Sequence, residues 1–283
     1  CSVTLTYHAD SLLLRCHYCD HRVPAPEECP KCHSRYLRFK GTGTQRVEDE
    51  LKKLLPDARI SRMDMDTTSR KNAHKDIYEG FLNREFDILL GTQMVAKGFD
   101  FPHVTLVGVI AADTTLNLPD FRSGERTFQL LTQVAGRTGR GDLGGEVIIQ
   151  TYATNHHSII CAQSHDYGGF YREEIEERRD LSYPPFGRIV GVQFQGPDEN
   201  FVVSEARRFT HILKKQNDAM TVLGPAPSVV AKVRGMFRYH LLTRSGEASH
   251  MRQAVAKARW LWEPGVDRKR VQIRVDVDPV GMM

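Results

Sequence analysis

Two cysteine pairs near the start of the chain, Cys16-His-Tyr-Cys19 and Cys29-Pro-Lys-Cys32, constrain the fold more than any other feature. Nine residues separate them; five of the six cysteines lie within the first thirty-two residues, and Cys161 stands alone. Each C-x-x-C knuckle offers two thiolates, and two knuckles can complete one closed, tetrahedral Cys₄ zinc site. A closed site is structural: the metal supplies folding energy and does no Lewis-acid chemistry. Disulfides are the other reading of such a cluster. Paired C-x-x-C spacing in a chain with no visible signal peptide favours metal. A redox pair is disfavoured, because two pairs with Pro30 inside the second resemble a zinc ribbon. Cys1 is either a spare thiol or the last member of a third knuckle whose partners lie upstream.

After the cysteines the pattern changes to alternating strands and helices. Gly41-Thr-Gly-Thr44 leads into Val47, Leu51, Leu54 and Leu55, a helical stripe ended by Pro56. Free amides at such a helix start can bind phosphate. A strand near Arg59–Met63, a helix from Lys71 to Asn83 and an apolar strand from Asp87 follow. Val104–Ile110 and Glu146–Thr151 read as further strands. This order predicts a parallel sheet covered by helices, with binding residues at the strand carboxyl ends. Thr92, Gln93, Lys97, Gly98 and Asp100 occupy one such end; Asp113 and the loop Pro119-Asp-Phe-Arg122 occupy another.

An apolar run through Phe128, Leu130, Leu131 and Val134 leads into Gln133-Val-Ala-Gly-Arg-Thr-Gly-Arg-Gly141. Arg137 and Arg140, three residues apart, face nearly the same way on a helix. Two guanidiniums suit a polyphosphate, because the planar fork bonds phosphate oxygens bidentately and stays charged. Taken alone, the stretch is equally compatible with a surface turn.

The last third begins with a charged helix, His157–Leu181, ended by Tyr183-Pro-Pro. Strand Arg188–Phe194, a helix from Asn200 to Lys215, strands Ser228–Val233 and Arg238–Thr243 around a Gly235-Met236 turn, helix Ala248–Trp262 and strand Val271–Val277 follow. That order, β-α-β-β-α-β, is the ferredoxin-like signature, and it argues no function by itself. Lys232, Arg234, Arg238, Tyr239 and Arg244 cluster about the hairpin, and Arg268, Lys269 and Arg270 precede the last strand. Basic groups beside an aromatic suit a nucleic-acid backbone and an unstacked base.

The segments GTQMVAKGFDF (91–101) and ADTTLNLPDFRSGERTFQLLTQVAGRTGRG (112–141) resemble motifs V and VI in the second lobe of superfamily 2 helicases. The resemblance implies that Thr92 and Gln93 touch DNA phosphate and that Gly98 and Asp100 line the nucleotide cleft. It places Gln133, Arg137 and Arg140 on the γ-phosphate side, with Arg140 the leading arginine finger. LTYH (5–8), both knuckles, GTGTQRVEDEL (41–51), Tyr183-Pro-Pro-Phe-Gly187 and Asp276-Val-Asp-Pro279 extend the match to the PriA family of primosomal helicases. In that family pattern outer cysteine pairs share one zinc and inner pairs another. Cys1, Cys16 and Cys19 would then serve one ion, and Cys29 with Cys32 half of a second. Asp20 and His33 depart from the pattern, standing where glycine commonly follows a knuckle, and Gln45 stands where Glu is usual.

The implied architecture is α/β: a zinc-binding segment (1–40), helicase lobe 2 with a RecA-like parallel sheet (41–155), a linker helix (156–186) and a ferredoxin-like DNA-binding domain (187–283). The implied cofactors are two zinc ions in the full-length protein and ATP with Mg²⁺. The implied partners are forked and single-stranded DNA, single-strand-binding protein and primosome proteins. Neither GxxxxGK[ST] nor a DExH tetrad occurs in the sequence, so the chain alone is expected to hydrolyse no ATP. The start at Cys1 suggests a piece of a longer product. A net charge of +4 is compatible with nucleic acid. No apolar run approaches bilayer length, so a cytoplasmic protein without a membrane partner is expected. Two rivals stay open: another zinc-containing superfamily 2 helicase, and a non-catalytic zinc and DNA-binding module.

Overall fold

In the computed structural model, residues 5–8, 11–30, 32–35, 43–64, 67–68, 72–92, 95, 101–136, 144–216 and 220–281 are described. The chain divides into two compact units. One comprises Cys1–Arg38, Asn117–Ser123 and Tyr171–Met283; the other comprises Phe39–Leu116 and Gly124–Phe170.

The second of these is the parallel-strand unit. Helix α1 (Thr44–Leu54) precedes a parallel pair, β4 (Ile60–Met63) and β5 (Ile88–Gly91), between which lies α2 (Ala73–Leu82). A second parallel pair follows, β6 (Leu106–Val109) with β7 (Glu146–Ile149). Parallel strands need a crossover, and α2 supplies the first, laying Tyr78 and Phe81 against Phe101 at ring centroid distances of 5.4 and 4.9 Å. At the end of β5 a Cβ on Gly91 would lie 2.6 Å from the Met63 carbonyl of β4, so only glycine lets the pair close where Thr92 leaves it. A short helix α3 (Asp113–Leu116) and the longer α4 (Ser123–Ala135) come next. On α4, Thr127, Phe128, Leu131 and Val134 are buried, the three-and-four spacing of a core-facing stripe. Phe128 stacks on Phe170 at 4.3 Å, within a cluster that includes Ala112, Ile159 and Ala162.

The single helix expected over 157–181 is two helices, α5 (His157–Gln163) and α6 (Tyr167–Asp180). Asp166 causes the break. Its carboxylate accepts the Gly169 amide at 2.8 Å and its carbonyl accepts the Phe170 amide, starting a new helix after a left-handed His165.

In the other unit, β1 (Thr6–His8), β2 (Leu13–Arg15) and β3 (Arg22–Pro24) form an antiparallel meander that carries the first knuckle. Strand β8 (Arg188–Gly196), helix α7 (Glu199–Lys214), β9 (Thr221–Val233), β10 (Met236–Ser245), helix α8 (Ala248–Trp262) and β11 (Gln272–Val277) follow the anticipated β-α-β-β-α-β order. The sheet order is β11-β8-β10-β9, antiparallel throughout. Both helices bury apolar faces on it. Phe194, Phe209 and Trp262 meet edge to face with centroids 5.5–6.0 Å apart; such geometry adds roughly 0.5–1.5 kcal/mol per pair beyond burial.

The sequence placed the start of this strand at Ser228, but β9 begins at Thr221. Pro225 and Pro227 cannot donate to a ladder, which hides a strand from sequence reading; here β9 is an edge, where proline is tolerated. The hairpin turn is Arg234-Gly235, one residue earlier than expected, between the paired Val233 and Met236. Both turn residues have positive φ (48° and 81°), as a two-residue turn matched to strand twist requires.

Candidate functional site

The two knuckles close with the same backbone hydrogen bonds. The Cys16 amide donates to the His21 carbonyl at 2.8 Å, and the Cys29 amide donates to the Ser34 carbonyl at 2.8 Å. Four residues after each cysteine, the Asp20 amide returns to the Cys16 carbonyl (3.0 Å) and the His33 amide to the Cys29 carbonyl (2.8 Å). Asp20 and His33 stand at φ of 64° and 55°. These are the positions where the sequence departs from glycine, and both residues adopt the left-handed conformation glycine would supply. Asp and His enter this region more readily than most side chains. Asp20 is also fixed by Arg15 and by Arg22, whose Nη2 lies 2.8 Å from its carboxylate.

The thiols suit a soft cation. Cys16 is buried and beside Cys19, and its Sγ accepts the Tyr18 amide at 3.4 Å. Burial pushes the Cys16 thiol up, while the Cys19 and Tyr18 amides act in the opposite sense. Cys29 is half-buried and Cys32 exposed. Among the described residues, no group of three or more potential ligand atoms includes a cysteine, so the thiols of the two knuckles do not converge on one point. Cys1 lies outside the described residues.

The first knuckle is built into the core of its unit. Cys16 and Tyr18 are buried in one cluster with Tyr183, Ile189 and Leu242. His17, 1% exposed, donates from Nδ1 to the Pro227 carbonyl of β9 at 2.8 Å, because a carbonyl can only accept. Behind it lies His240, on β10; burial pulls its pKa down to about 4. The Tyr18 phenol is pushed far up, by burial first and then by the Asp120 charge, and its oxygen accepts the Phe121 amide at 3.2 Å. Nothing in the sequence spacing flags His17 or Tyr18 as more than the interior of a C-x-x-C.

In the parallel-strand unit, Thr92 is exposed at the carboxyl end of β5. Gln133 is half-buried near the end of α4, off its fully buried stripe. Gln93, Gly98, Asp100, Arg137 and Arg140 lie outside the described residues. The start of α1 offers no side-chain cap, and the Thr44 hydroxyl donates to Asp64 at 2.7 Å, which puts a carboxylate where the sequence suggested phosphate could bind. Asp113 accepts from Thr151 Oγ1 at 3.0 Å and from the Tyr152 amide, joining α3 to the end of β7.

At the hairpin, Arg234 is exposed at the turn. Arg238 points to the neighbouring strand, where the Gln193 amide oxygen, suitably oriented, accepts from Nε at 3.0 Å and Nη2 at 2.9 Å. Tyr239 packs against the main core and donates its hydroxyl to Glu199 at 2.8 Å. Its pKa rises to about 12 through burial and that hydrogen bond. A residue the sequence reading passed over is Phe237, whose ring lies 4.3 Å from Lys232 Nζ. It alternates with Tyr239 along β10, and that period-2 spacing could have found it.

Residues 1–24 match the PriA DNA helicase Cys-rich region (CRR) domain, residues 36–142 the helicase conserved C-terminal domain, and residues 179–280 the primosomal protein N C-terminal domain. Over its whole length the chain is 46% identical to the replication restart protein PriA of Bacillus subtilis. The chain belongs to the PriA family. Over 86% of its length it is 43% identical to the Synechocystis PriA, and over its whole length 39% identical to that of Treponema pallidum. It spans 35%, 30% and 43% of these three curated PriA relatives. The Cys-rich match includes Cys1, Cys16 and Cys19 and ends before Cys29, so the second knuckle stands on its backbone likeness to the first. Among the described residues, no helix is long and apolar enough to cross a membrane.

Proposed function

We propose that the chain is the C-terminal part of an ATP-dependent 3′–5′ DNA helicase that recognises forked DNA and starts primosome assembly at replication restart. The observation that carries this reading is the likeness of the two knuckle backbones, in a chain whose three segments follow the PriA order. Cys1, Cys16 and Cys19 would serve one zinc, and Cys29 with Cys32 half of a second. Zinc would supply folding energy there. Gly98 and Asp100 would line the cleft for ATP with Mg²⁺. Gln133 and Arg137 would orient the γ-phosphate, while Arg140 meets the charge that develops on it.

Thr92 and Gln93 would meet DNA phosphates. At the hairpin Arg234 leads, with Lys232 and Phe237 beside it and Arg238 and Tyr239 behind, engaged in the sheet. Single-strand-binding protein and primosome proteins would join the assembly, in the cytoplasm. The chain contains no phosphate-binding Gly-Lys-Ser/Thr loop, which favours a second reading for this polypeptide by itself: a zinc and DNA-binding module without turnover.

The test is binding of forked against linear duplex DNA by the zinc-loaded chain. Forked DNA should bind more tightly, the affinity should fall steeply with salt as phosphate contacts dominate, and Lys232→Glu with Arg234→Glu should weaken it at least tenfold. Equal affinity for linear duplex would favour a different superfamily 2 helicase, and an unchanged double variant would remove the hairpin from the interface.

A further inference from the structure

The segment 117–123, whose loop Pro119–Arg122 the sequence set among the binding residues at a strand end, belongs instead to the knuckle-bearing unit; it leaves the parallel-strand sequence after Leu116 and hands the chain back at Gly124. Four separate parts of that unit hold it. The Phe121 ring stacks on Tyr183 with centroids 4.5 Å apart and planes 4° from parallel. Arg122 and Arg178 lie over the Phe121 ring, with guanidinium carbons 4.2 and 5.4 Å from its centroid. The Phe121 amide donates to Tyr18 inside the first knuckle. Arg122 Nη1 donates to the Pro279 carbonyl at 2.9 Å. Within the loop, buried Asp120 accepts the Arg122 amide on its carboxylate (3.0 Å) and the Ser123 amide on its carbonyl (3.0 Å). The loop is therefore fixed up to Ser123, the first residue of α4.

A surface connection between two elements does not need an aromatic stack, two guanidiniums and a buried carboxylate. Helix α4 rises about 1.5 Å per residue, so Gln133 lies about 15 Å along its axis from Ser123. We propose that the segment 117–123 is a coupling joint, through which movement of α4 on nucleotide turnover reaches the knuckles and the antiparallel sheet. Phe121 is its positioning residue. This rests on the functional reading above, which sets the far end of α4 beside the γ-phosphate. A packed stack has discrete arrangements and does not deform continuously, so it passes a displacement on rather than absorbing it.

The experiment uses the full-length polypeptide with Phe121→Ala, Phe121→Tyr and Arg122→Ala, and measures zinc content, DNA-stimulated ATP hydrolysis and unwinding of a fork. Phe121→Ala should keep its zinc and its ATP hydrolysis within twofold while unwinding falls at least tenfold. Phe121→Tyr, which keeps the ring on Tyr183, should restore unwinding to within about twofold. Arg122→Ala should show the same split more weakly. Unwinding that persists in Phe121→Ala, or hydrolysis that falls in step with unwinding, would overturn the proposal. Should Phe121→Ala lose zinc, Arg122→Ala decides, and no split there overturns it. A wild type without DNA-stimulated hydrolysis would instead bring down the functional reading, and the joint with it.

Discussion

Changing Tyr18 to Phe should weaken zinc binding at the first knuckle, although Tyr18 is no ligand. The ring is 1% exposed, so phenylalanine fills the same space and leaves no cavity. What disappears is the oxygen that accepts the Phe121 amide at 3.2 Å. A part-buried amide left without its acceptor costs roughly 1–2 kcal/mol. Folding and metal binding of a knuckle are one event, and about 1.4 kcal/mol is tenfold in affinity. The chelator concentration that strips the first site should therefore fall about five- to thirtyfold. Tyr18→Ala adds a cavity in the cluster of Cys16, Tyr183, Ile189 and Leu242; at roughly 3–5 kcal/mol it should strip more than a hundredfold more easily. The assay is a chelator titration followed by a chromogenic zinc indicator, alongside urea unfolding of the zinc-loaded chain. A Tyr18→Phe midpoint within twofold of wild type would refute the argument that the knuckle and the segment 117–123 are energetically joined.

Other outcomes follow from the same unit. His240 has a folded pKa of about 4 against an ordinary 6.5, so the unfolded chain binds its proton first as pH falls. Its stabilising effect is complete above pH 6.5 and is lost towards pH 4, by about 3 kcal/mol; urea unfolding of His240→Gln should show correspondingly less loss between those values, and parallel pH curves would exclude the effect. Cys16→Ser should lose zinc and fork unwinding while keeping part of the DNA-stimulated hydrolysis in the full-length polypeptide; zinc content equal to wild type would remove Cys16 from the ligands.

Where hydrophobic periodicity and local breakers determine structure, the sequence was sufficient. The strands at 60–63, 88–91, 106–109 and 146–149 and the helices at 44–54, 199–214 and 248–262 were legible because each apolar pattern has one period and clear ends. Prolines concealed the first part of β9, since an edge position is a property of the sheet and not of the segment. The break at Asp166 was concealed by a charged run that is helical on both sides. The knuckles were legible as thiol pairs, and Asp20 and His33 as departures, but their left-handed backbone was not. Least legible was the sharing of one core by Tyr18, Phe121, Tyr183 and Leu242. These residues are separated by scores of positions, and no local pattern relates them. The chemistry of the arginine pair Arg137 and Arg140 left a surface turn equally open; the motif VI resemblance is what gave them a role at the γ-phosphate.

That role is open to one direct measurement, steady-state DNA-stimulated ATP hydrolysis by the full-length polypeptide carrying Arg140→Ala, with DNA affinity measured in parallel. An arginine finger contributes roughly a thousandfold or more to turnover. Hydrolysis should fall by about that factor while DNA affinity stays within twofold of wild type. Unaltered turnover in Arg140→Ala would contradict the assignment of this chain to the nucleotide-sensing half of a helicase.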